Sequence, residues 1–170
     1  YLLSVGHLIE RKGHHIAIEA LVALPGVTLL IAGSGPEERA LKSLASRLGV
    51  SDRVHWAGVV PQPALRRWYS AADVLTLCSS REGWANVLLE AMACGTPVIA
   101  TDIWGTSEVV SSEAAGRLME RRDARALADA WHDLMSAMPA RAATRQYAEG
   151  FSWNATTQGQ LQLFESVVHA

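Results

Sequence analysis

Short runs of β-branched and other apolar residues alternate with segments of helical periodicity along most of this sequence, and no other feature limits the fold as strongly. The runs occupy residues 1–5, 27–32, 54–57, 74–77, 98–101 and 116–119. Each run has the length of a strand, and segments with helical periodicity separate most of them. The sequence therefore predicts an α/β fold with a doubly wound parallel sheet of about six strands.

The segments between the runs place apolar residues on one helical face, as helices packed on a sheet require. Two such faces carry Leu41, Leu44, Ala45 and Leu48, and Leu65, Trp68, Tyr69 and Ala72. Pro36 lies just inside the predicted start of the first of these helices, and Gly49 lies just past its end. Proline is favoured in the first turn of a helix and glycine after the last. The sequence therefore predicts the ends of this helix as well as its existence.

Only helical periodicity follows residue 119. One predicted helix carries Leu127, Trp131, Leu134 and Met138 on one face, and a last helix beginning near Asn154 carries Leu161, Phe164 and Val168. With 170 residues and 49% hydrophobic content, the chain is long enough for one domain with a sizeable core. We expect residues 1–150 to form that domain and residues 151–170 to form a C-terminal helix that packs elsewhere. The start at Tyr1, inside an apolar run, favours a fragment excised from a longer protein.

The charge balance argues against nucleic acid as a partner, because a formal net charge of −2 creates no general attraction for it. A small neutral or anionic ligand is expected instead. The two cysteines, Cys78 in an apolar run and Cys94 before a glycine, indicate reduced thiols rather than a disulfide framework. No apolar run approaches the roughly 20 residues that span a bilayer, and no leader precedes the first strand. We therefore expect a cytoplasmic protein.

A cluster of arginines in the last third of the chain has two interpretations. Its members are Arg117, Arg121, Arg122, Arg125, Arg141 and Arg145. The first interpretation, which we expect, is a solvated helical face. The alternative is a patch that binds a membrane surface weakly. The alternative would place a longer protein at the cytoplasmic face of the inner membrane.

In an open parallel sheet, ligands bind beyond the carboxyl ends of the strands, so the loops after the strands are the candidate sites. The loop at residues 6–13 has a glycine at each end and Lys12 among the cations inside. This composition suits a phosphate, although a surface loop with two turn glycines has the same composition. After the second strand, Gly33 and Gly35 start a dinucleotide fingerprint, but Glu38 stands where it needs a third glycine. That loop is predicted to be a tight turn that caps a helix.

The loop after the fourth strand carries the most specific pattern, because two glutamates flank the start of a predicted helix. Asn86 is predicted to cap that helix, leaving the N–H groups of Val87 and Leu88 free to bind an anion. Glu90, one turn into the helix, can accept both hydroxyls of a vicinal diol such as a ribose. Glu82, before the helix, is placed to meet the hydroxyls of the next sugar. The alternative is that neither glutamate binds a ligand: Glu90 would be a helix residue at a buried edge, and Glu82 would be a solvated charge in the loop.

This segment resembles the paired-glutamate signature of the family-4 retaining glycosyltransferases. The matching residues are Glu82, Gly83, Asn86 and the run 90–98. Further landmarks of the family occur in the same order at residues 5–8 with 12–13, 32–36, 71–74 and 105–109. The likeness covers residue 1 to about residue 110 and returns weakly at 151–153.

The resemblance implies a Rossmann-like domain that binds the donor, a UDP- or GDP-sugar, without a cofactor or a metal. In that family, the positions of His7 and Lys12 contact the donor diphosphate. The position of Glu90 holds the ribose, and that of Glu82 meets the transferred sugar. The other donor contacts implied are Gly6, Gly83, Trp84, Ala85, Asn86, Val87 and Leu88, with Gly58, Val59 and Val60 at the base.

The resemblance also implies the reaction, a sugar transfer with retention of configuration in the synthesis of a polysaccharide, glycolipid or related glycoconjugate. Glu82 would be the catalytic residue on this chain. A missing N-terminal domain would hold the acceptor and cover the C-terminal helix, so the fragment alone would be inactive. The alternatives are a nucleotide-sugar epimerase or sugar phosphorylase of the same architecture, or a non-catalytic nucleotide-binding module.

Three positions depart from the family pattern, and one histidine pair stays outside it. His7 replaces the usual arginine, and neutral imidazole binds a diphosphate less well. Trp84 and Ala85 replace the more usual phenylalanine and small residue, and residues 103–105, with Trp104 at their centre, replace a pair of glycines near the sugar. These changes leave the identity of the donor sugar open. His14 and His15 are adjacent, so a helix would turn them about 100° apart and we expect structural roles rather than a metal site.

Overall fold

A computed structural model of the chain describes residues 1–168, apart from the side chains at 153, 155 and 156. Six strands form one parallel sheet: β1 (Leu2–Val5), β2 (Leu29–Ala32), β3 (Val54–Gly58), β4 (Val74–Leu77), β5 (Val98–Thr101) and β6 (Gly116–Met119). The helices are α1 (His14–Ala20), α2 (Glu38–Arg47), α3 (Gln62–Ala71), α4 (Asn86–Ala93), α5 (Ala124–Ser136), α6 (Arg141–Glu149) and α7 (Trp153–Val168). The predicted fold class is confirmed, and the bounds of β4, β5 and β6 are those predicted.

The strand order is β3-β2-β1-β4-β5-β6, so the chain reverses its direction of winding between β1 and β4. These two strands pair in register, with Leu2 opposite Val74 and Leu3 opposite Leu75. In doubly wound sheets of this order, the crevice at the carboxyl ends of the two central strands is where ligands bind. The loops after β1 and β4 therefore form the walls of the candidate site.

The core lies on both faces of the sheet, because side chains alternate between the faces along each strand. Leu2 belongs to the cluster that packs with α1, α2 and α5, whereas Leu3 belongs to the cluster that packs with α3 and α4. Both leucines are fully buried. The four inner strands, β1, β2, β4 and β5, are thus covered on both sides, which explains their nearly continuous apolar sequences.

Helix α2 ends as the sequence predicts and starts slightly later. Its last residue is Arg47, and Gly49 adopts the left-handed conformation with φ 66° while the N–H of Val50 donates to the carbonyl of Ala45. This arrangement satisfies a helix-end carbonyl in the manner of a glycine C-cap. Helix α2 starts at Glu38, two residues after Pro36.

The C-terminal third differs from the prediction at one position and leaves one helix exposed. Helix α5 ends at Ser136, so Met138 lies outside it and is half-exposed, which corrects its predicted place on the buried face. Along α7, large apolar side chains are exposed, among them Leu161, Phe164 and Val168. Residues 169–170 of the predicted C-terminal helix lie outside the described part of the chain.

Four of the six arginines of this region are paired with acids, and the other two are held by the backbone. Arg117, Arg121, Arg125 and Arg145 each form an ion pair with a carboxylate, and Arg122 and Arg141 donate to backbone carbonyls. Within residues 1–168, no helix is both long and apolar enough to cross a membrane.

Candidate functional site

Lys12 and Glu82 form an ion pair across the switch point of the sheet. Lys12 ends a short 3-10 turn, Glu10–Lys12, between β1 and α1, and Glu82 lies in the loop after β4. The Nζ of Lys12 donates to Oε1 of Glu82 at 2.7 Å, and both side chains are largely buried. The sequence singled out both residues, and the structure brings them into direct contact.

Two further residues position this pair. The Oγ of Ser79, which is fully buried, donates to Oε1 of Glu82 at 2.6 Å. Gly13 has φ 71°, and a Cβ at this position would overlap the carbonyl oxygen of Cys78. Only glycine therefore lets the loop after β1 approach the end of β4 so closely. Ser79 was not among the predicted site residues, although a serine two residues after a buried strand was a visible indication.

Gly6 and His7 border the same pair. A Cβ on Gly6 would lie 3.8 Å from Cδ and Cε of Lys12, so the lysine side chain runs along the Gly6 backbone. The His7 side chain is exposed, and its carbonyl oxygen lies 3.3 Å from Nε2 of His14. Ser4 Oγ lies 2.9 Å from Nδ1 of the same ring. His14 is thus a buried residue that braces the loop, and its predicted structural role is confirmed.

Burial makes His14 a source of acid sensitivity. Its pKa falls from the ordinary 6.5 to about 4, chiefly because burial disfavours the charged ring. Between these pH values the unfolded chain binds a proton that the folded chain does not, so stability present above pH 6.5 is lost as the pH falls towards 4.

We expect the free energy of unfolding to drop by about 2 to 3 kcal/mol over this interval through His14 alone. Urea denaturation at a series of pH values measures the slope. The variant His14→Gln should flatten this slope. The control is the variant of its half-buried neighbour, His15→Gln, which should leave the slope nearly unchanged. An unchanged slope in His14→Gln would refute the assignment.

The loop after β2 packs on the loop after β1. The N–H of Leu8 donates to the carbonyl of Ser34 at 2.9 Å, and the N–H of Glu37 donates to the carbonyl of Leu8 at 3.0 Å. A Cβ on Gly33 would overlap the carbonyl oxygen of Gly6. The glycine is thus required for contact between two loops, which the sequence could not indicate.

A cleft of about 240 Å³ joins the predicted diphosphate and base positions. Its lining comprises Val5, Gly6, His7, Ala32, Gly33, Ser34, Val59, Val60 and Leu65. Val59 and Val60 are therefore placed beside Gly6 and His7, as a nucleotide that spans both would require. Gly58 lies behind them, and its carbonyl accepts the N–H of Gly33 at 2.7 Å.

Glu90 is oriented by two donors from α3. The hydroxyl of Tyr69 donates to Oε2 at 2.7 Å, and Nε2 of Gln62 donates to Oε1 at 3.1 Å. Burial, followed by the hydrogen bond to Glu90, raises the pKa of Tyr69 far above its usual value, so this hydroxyl remains a donor. Each carboxylate oxygen keeps further acceptor capacity. Tyr69 was predicted on an apolar face, with no partner for its hydroxyl, although the hydroxyl of a buried tyrosine usually has a hydrogen-bond partner.

The predicted cap of α4 is wrong. Asn86 is the first residue of the helix and is exposed, and Ala85 occupies the cap position without a side-chain hydrogen bond. The N–H of Leu88 donates to the carbonyl of Ala85 at 2.9 Å, and the Leu88 side chain is fully buried. A tight main-chain turn thus replaces the side-chain cap, and the N–H of Leu88 is not free. Val87 lies in the first turn and is half-buried.

The loop before α4 is supported by aromatic contacts and by a second loop. Trp84 makes an edge contact with Phe151, with ring centroids 6.4 Å apart, and Phe151 in turn contacts Tyr147 at 5.4 Å. A Cβ on Gly105 would overlap the carbonyl oxygen of Gly83, so the loop that carries the exposed Trp104 packs against the loop between β4 and α4.

Comparison with known proteins places this site in a family. The sequence profile of the family described as glycosyl transferases group 1 matches residues 1–151. The chain belongs to this family. Over 97% of its length it is 38% identical to the lipopolysaccharide core biosynthesis glycosyltransferase LpsE of Rhizobium meliloti (strain 1021), of which it covers 49%.

Solved structures of related proteins also match this chain over nearly its whole length. Sucrose-phosphate synthase from Thermosynechococcus elongatus superposes with a TM-score of 0.85 and is 32% identical, with 99% of this chain and 45% of that chain covered. Anabaena HepE in complex with UDP superposes with a TM-score of 0.82 and is 25% identical, with 98% and 49% covered. The chain thus spans about half the length of the proteins it matches.

The site of this glycosyl transferases group 1 domain offers a buried cation, two carboxylates and an apolar cleft. Within the part of the chain that the structure describes, no three His, Cys, Asp or Glu residues are grouped to hold a metal ion. Lys12 is the positive charge that the site itself presents to an anion beside Glu82. Such a set can bind a phosphate and orient polyols on either side of it.

Proposed function

We propose that this chain is the donor-binding half of a family-4 retaining glycosyltransferase, which transfers a sugar from a nucleoside-diphosphate sugar to an acceptor. The observation that supports this most is the Lys12–Glu82 ion pair at the switch point, with Glu90 further along the same loop and helix. Family membership supports the class of reaction. We further propose that the product is a polysaccharide, glycolipid or related glycoconjugate made on the cytoplasmic side of the membrane.

Lys12 binds the donor diphosphate in this proposal. Its ammonium group has three donors, and Glu82 takes one of them. The others can reach phosphate oxygens beside Gly6 and His7. When the bond between sugar and phosphate breaks, negative charge grows on the departing diphosphate, and a cation already fixed in place stabilises that charge more in the transition state than in the ground state. A metal ion is not required for this step.

Glu82 acts on the transferred sugar. Its carboxylate is fixed by Ser79 and Lys12 and precedes the exposed residues Gly83 and Trp84. The sugar ring gains positive charge as the diphosphate leaves, so a fixed carboxylate beside it stabilises the transition state. We propose that the transfer proceeds with retention of configuration.

Glu90 holds the ribose, and the cleft beside Val59 and Val60 holds the base. The orientation of Glu90 by Tyr69 and Gln62 leaves acceptor positions for two vicinal hydroxyls. The apolar lining of the cleft suits a planar base, as small-molecule sites are largely apolar with a few fixed polar groups.

A second domain completes the enzyme. We propose that it supplies the acceptor site and covers α7, whose Leu161, Phe164 and Val168 are exposed here. Exposed apolar stripes of this kind mark contact surfaces. The 170-residue chain alone therefore binds donor but transfers no sugar.

Calorimetry with UDP in the presence of EDTA tests the donor site. We expect UDP to bind without metal, and Lys12→Gln to weaken it about tenfold or more, because a charge-assisted contact contributes about 1.5 to 3 kcal/mol. The chain has one other lysine, on the exposed face of α2, which gives a matched control, Lys42→Gln. Binding that disappears with EDTA, or equal weakening by both variants, would contradict the proposal.

A further inference from the structure

A second cleft, of about 400 Å³, lies beside the Lys12–Glu82 pair and is rich in arginine. Its lining comprises Glu10, Arg11, Ser80, Arg81 and Arg122. Three arginines against one glutamate leave two net positive charges on this small surface. The proposed roles of Lys12, Glu82 and Glu90 do not use it.

Two of the three arginines, Arg11 and Arg122, are fixed by backbone contacts rather than by acids. Arg122 donates from Nε to the carbonyl of Cys78 at 2.8 Å and from Nη2 to the carbonyl of Glu10 at 3.0 Å. Arg11 donates from Nη1 to the carbonyl of Arg81 at 3.0 Å. A guanidinium group has five N–H donors, so both side chains keep free donors after making these bonds. The cleft therefore presents oriented donors that are already in place.

These arginines differ from four exposed or partly exposed arginines elsewhere on the chain. Arg117, Arg121, Arg125 and Arg145 pair with carboxylates, whereas within residues 1–168 none of the cleft arginines lies within 4.0 Å of one. Like charges that are held together without counter-charges repel each other. A bound anion removes this repulsion, and clusters of arginine are the usual means of recognising phosphate groups.

The position of the cleft indicates which substrate it contacts. Arg11 precedes Lys12 and Arg81 precedes Glu82, so the cleft borders the sugar side of the site. Arg122 comes from the connection between β6 and α5, on the sheet face that packs with α1. The nucleotide cleft includes Leu65 of α3, which packs on the opposite face, and the two clefts share no lining residue. An anion bound here would lie beyond the transferred sugar, away from the nucleotide.

We propose that this cleft binds a phosphate monoester carried by the acceptor, the rest of which is held by the second domain. The inference rests on the proposed glycosyl transfer, since it locates the acceptor relative to the donor. A phosphate monoester carries about 1.5 to 2 negative charges at pH 7, which matches the two net positive charges of the cleft. The monoester belongs either to a soluble sugar phosphate or to a lipid headgroup.

Titration of the UDP-saturated chain with glycerol 1-phosphate, followed by amide chemical shifts, tests the inference. We expect shifts at Ser80 and Arg81, and we expect Arg81→Gln to weaken binding about tenfold, the effect of losing one charge-assisted contact. The control is an exposed arginine on α2, Arg39→Gln, which should have no effect. Glu10→Gln should tighten binding, because it removes the one acid of the cleft.

The outcomes separate this inference from the proposed function. Glycerol 1-phosphate that binds while UDP does not would leave the cleft supported and the nucleotide site refuted. Equal affinity in the wild-type and Arg81→Gln chains, or equal weakening by Arg39→Gln, would overturn the inference. Vesicles of phosphatidylcholine with phosphatidic acid distinguish the two sources: binding to them that depends on Arg81 supports a lipid acceptor, and binding of glycerol 1-phosphate alone supports a soluble one.

Discussion

Replacement of Glu82 by glutamine in a full-length enzyme that contains this domain is expected to lower kcat about 10²- to 10³-fold, with little change in the donor KM. The carboxylate is fixed by Ser79 and Lys12, so it needs no reorganisation when positive charge develops on the sugar. Glutamine keeps the shape and one acceptor oxygen but loses the charge. The interaction that is removed strengthens mainly in the transition state, so kcat falls.

Glu90→Gln is the matched comparison, because the two glutamates flank the same helix start. In the proposed mechanism the ribose moves little during the reaction, so its contact with Glu90 is expected to be similar in the ground and transition states. Removing such uniform binding raises KM and leaves kcat nearly unchanged. Steady-state kinetics with varied donor measures both constants. The reverse division, with Glu90→Gln depressing kcat at saturating donor and Glu82→Gln affecting only KM, would refute the assignment.

Stability must be measured alongside these kinetics, because Glu82→Gln leaves Lys12 without an ionic partner. Lys12 is still partly solvated, with 18% of its side chain exposed, so the variant is expected to fold. Equal unfolding midpoints in urea for the wild-type and variant chains would assign the loss of kcat to the reaction rather than to the fold.

Gly13→Ala is expected to destabilise the domain by about 3 to 5 kcal/mol. The backbone there has φ 71°, which costs an alanine about 1 to 3 kcal/mol, and the new Cβ overlaps the Cys78 carbonyl, which adds a cost similar to that of overpacking. Movement of the loop would also separate Lys12 from Glu82, so we expect UDP binding to fall in parallel.

Gly49→Ala separates the two causes. Gly49 has φ 66°, but a Cβ at this position would have no neighbour within 4 Å, so only the conformational cost of about 1 to 3 kcal/mol remains. Urea denaturation of both variants measures the difference. Equal destabilisation would show that close contact between the loops after β1 and β4 is not what requires glycine at position 13.

The four inner strands were predictable because they are buried on both faces and therefore nearly continuous in apolar residues. The runs at 74–77 and 98–101 have the observed bounds of β4 and β5. Met138 was misplaced because apolar spacing continued past the end of α5, although Pro139 disfavours helix at the residue before it. The cap at Asn86 failed because propensity for a cap does not decide the outcome where a main-chain turn already satisfies the N–H of Leu88.

The candidate site was predictable residue by residue but not as an arrangement. Lys12 and Glu82 are 70 residues apart, and their contact depends on the pairing of β1 with β4. The Tyr69–Glu90 hydrogen bond likewise requires α3 to pack beside α4. Periodicity predicts which face of a helix is buried, but it does not predict which polar groups meet there.

Mapping of UDP on the chain by amide chemical shifts tests the central claim most directly, since it locates the donor rather than merely detecting it. We expect the largest changes at Gly6, Lys12, Val60 and Glu90, which surround the crevice between β1 and β4. The surface cleft between β6 and α5, lined in part by Arg117 and Asp133, should show none. Changes centred on that cleft, or no changes at saturating UDP, would contradict the account.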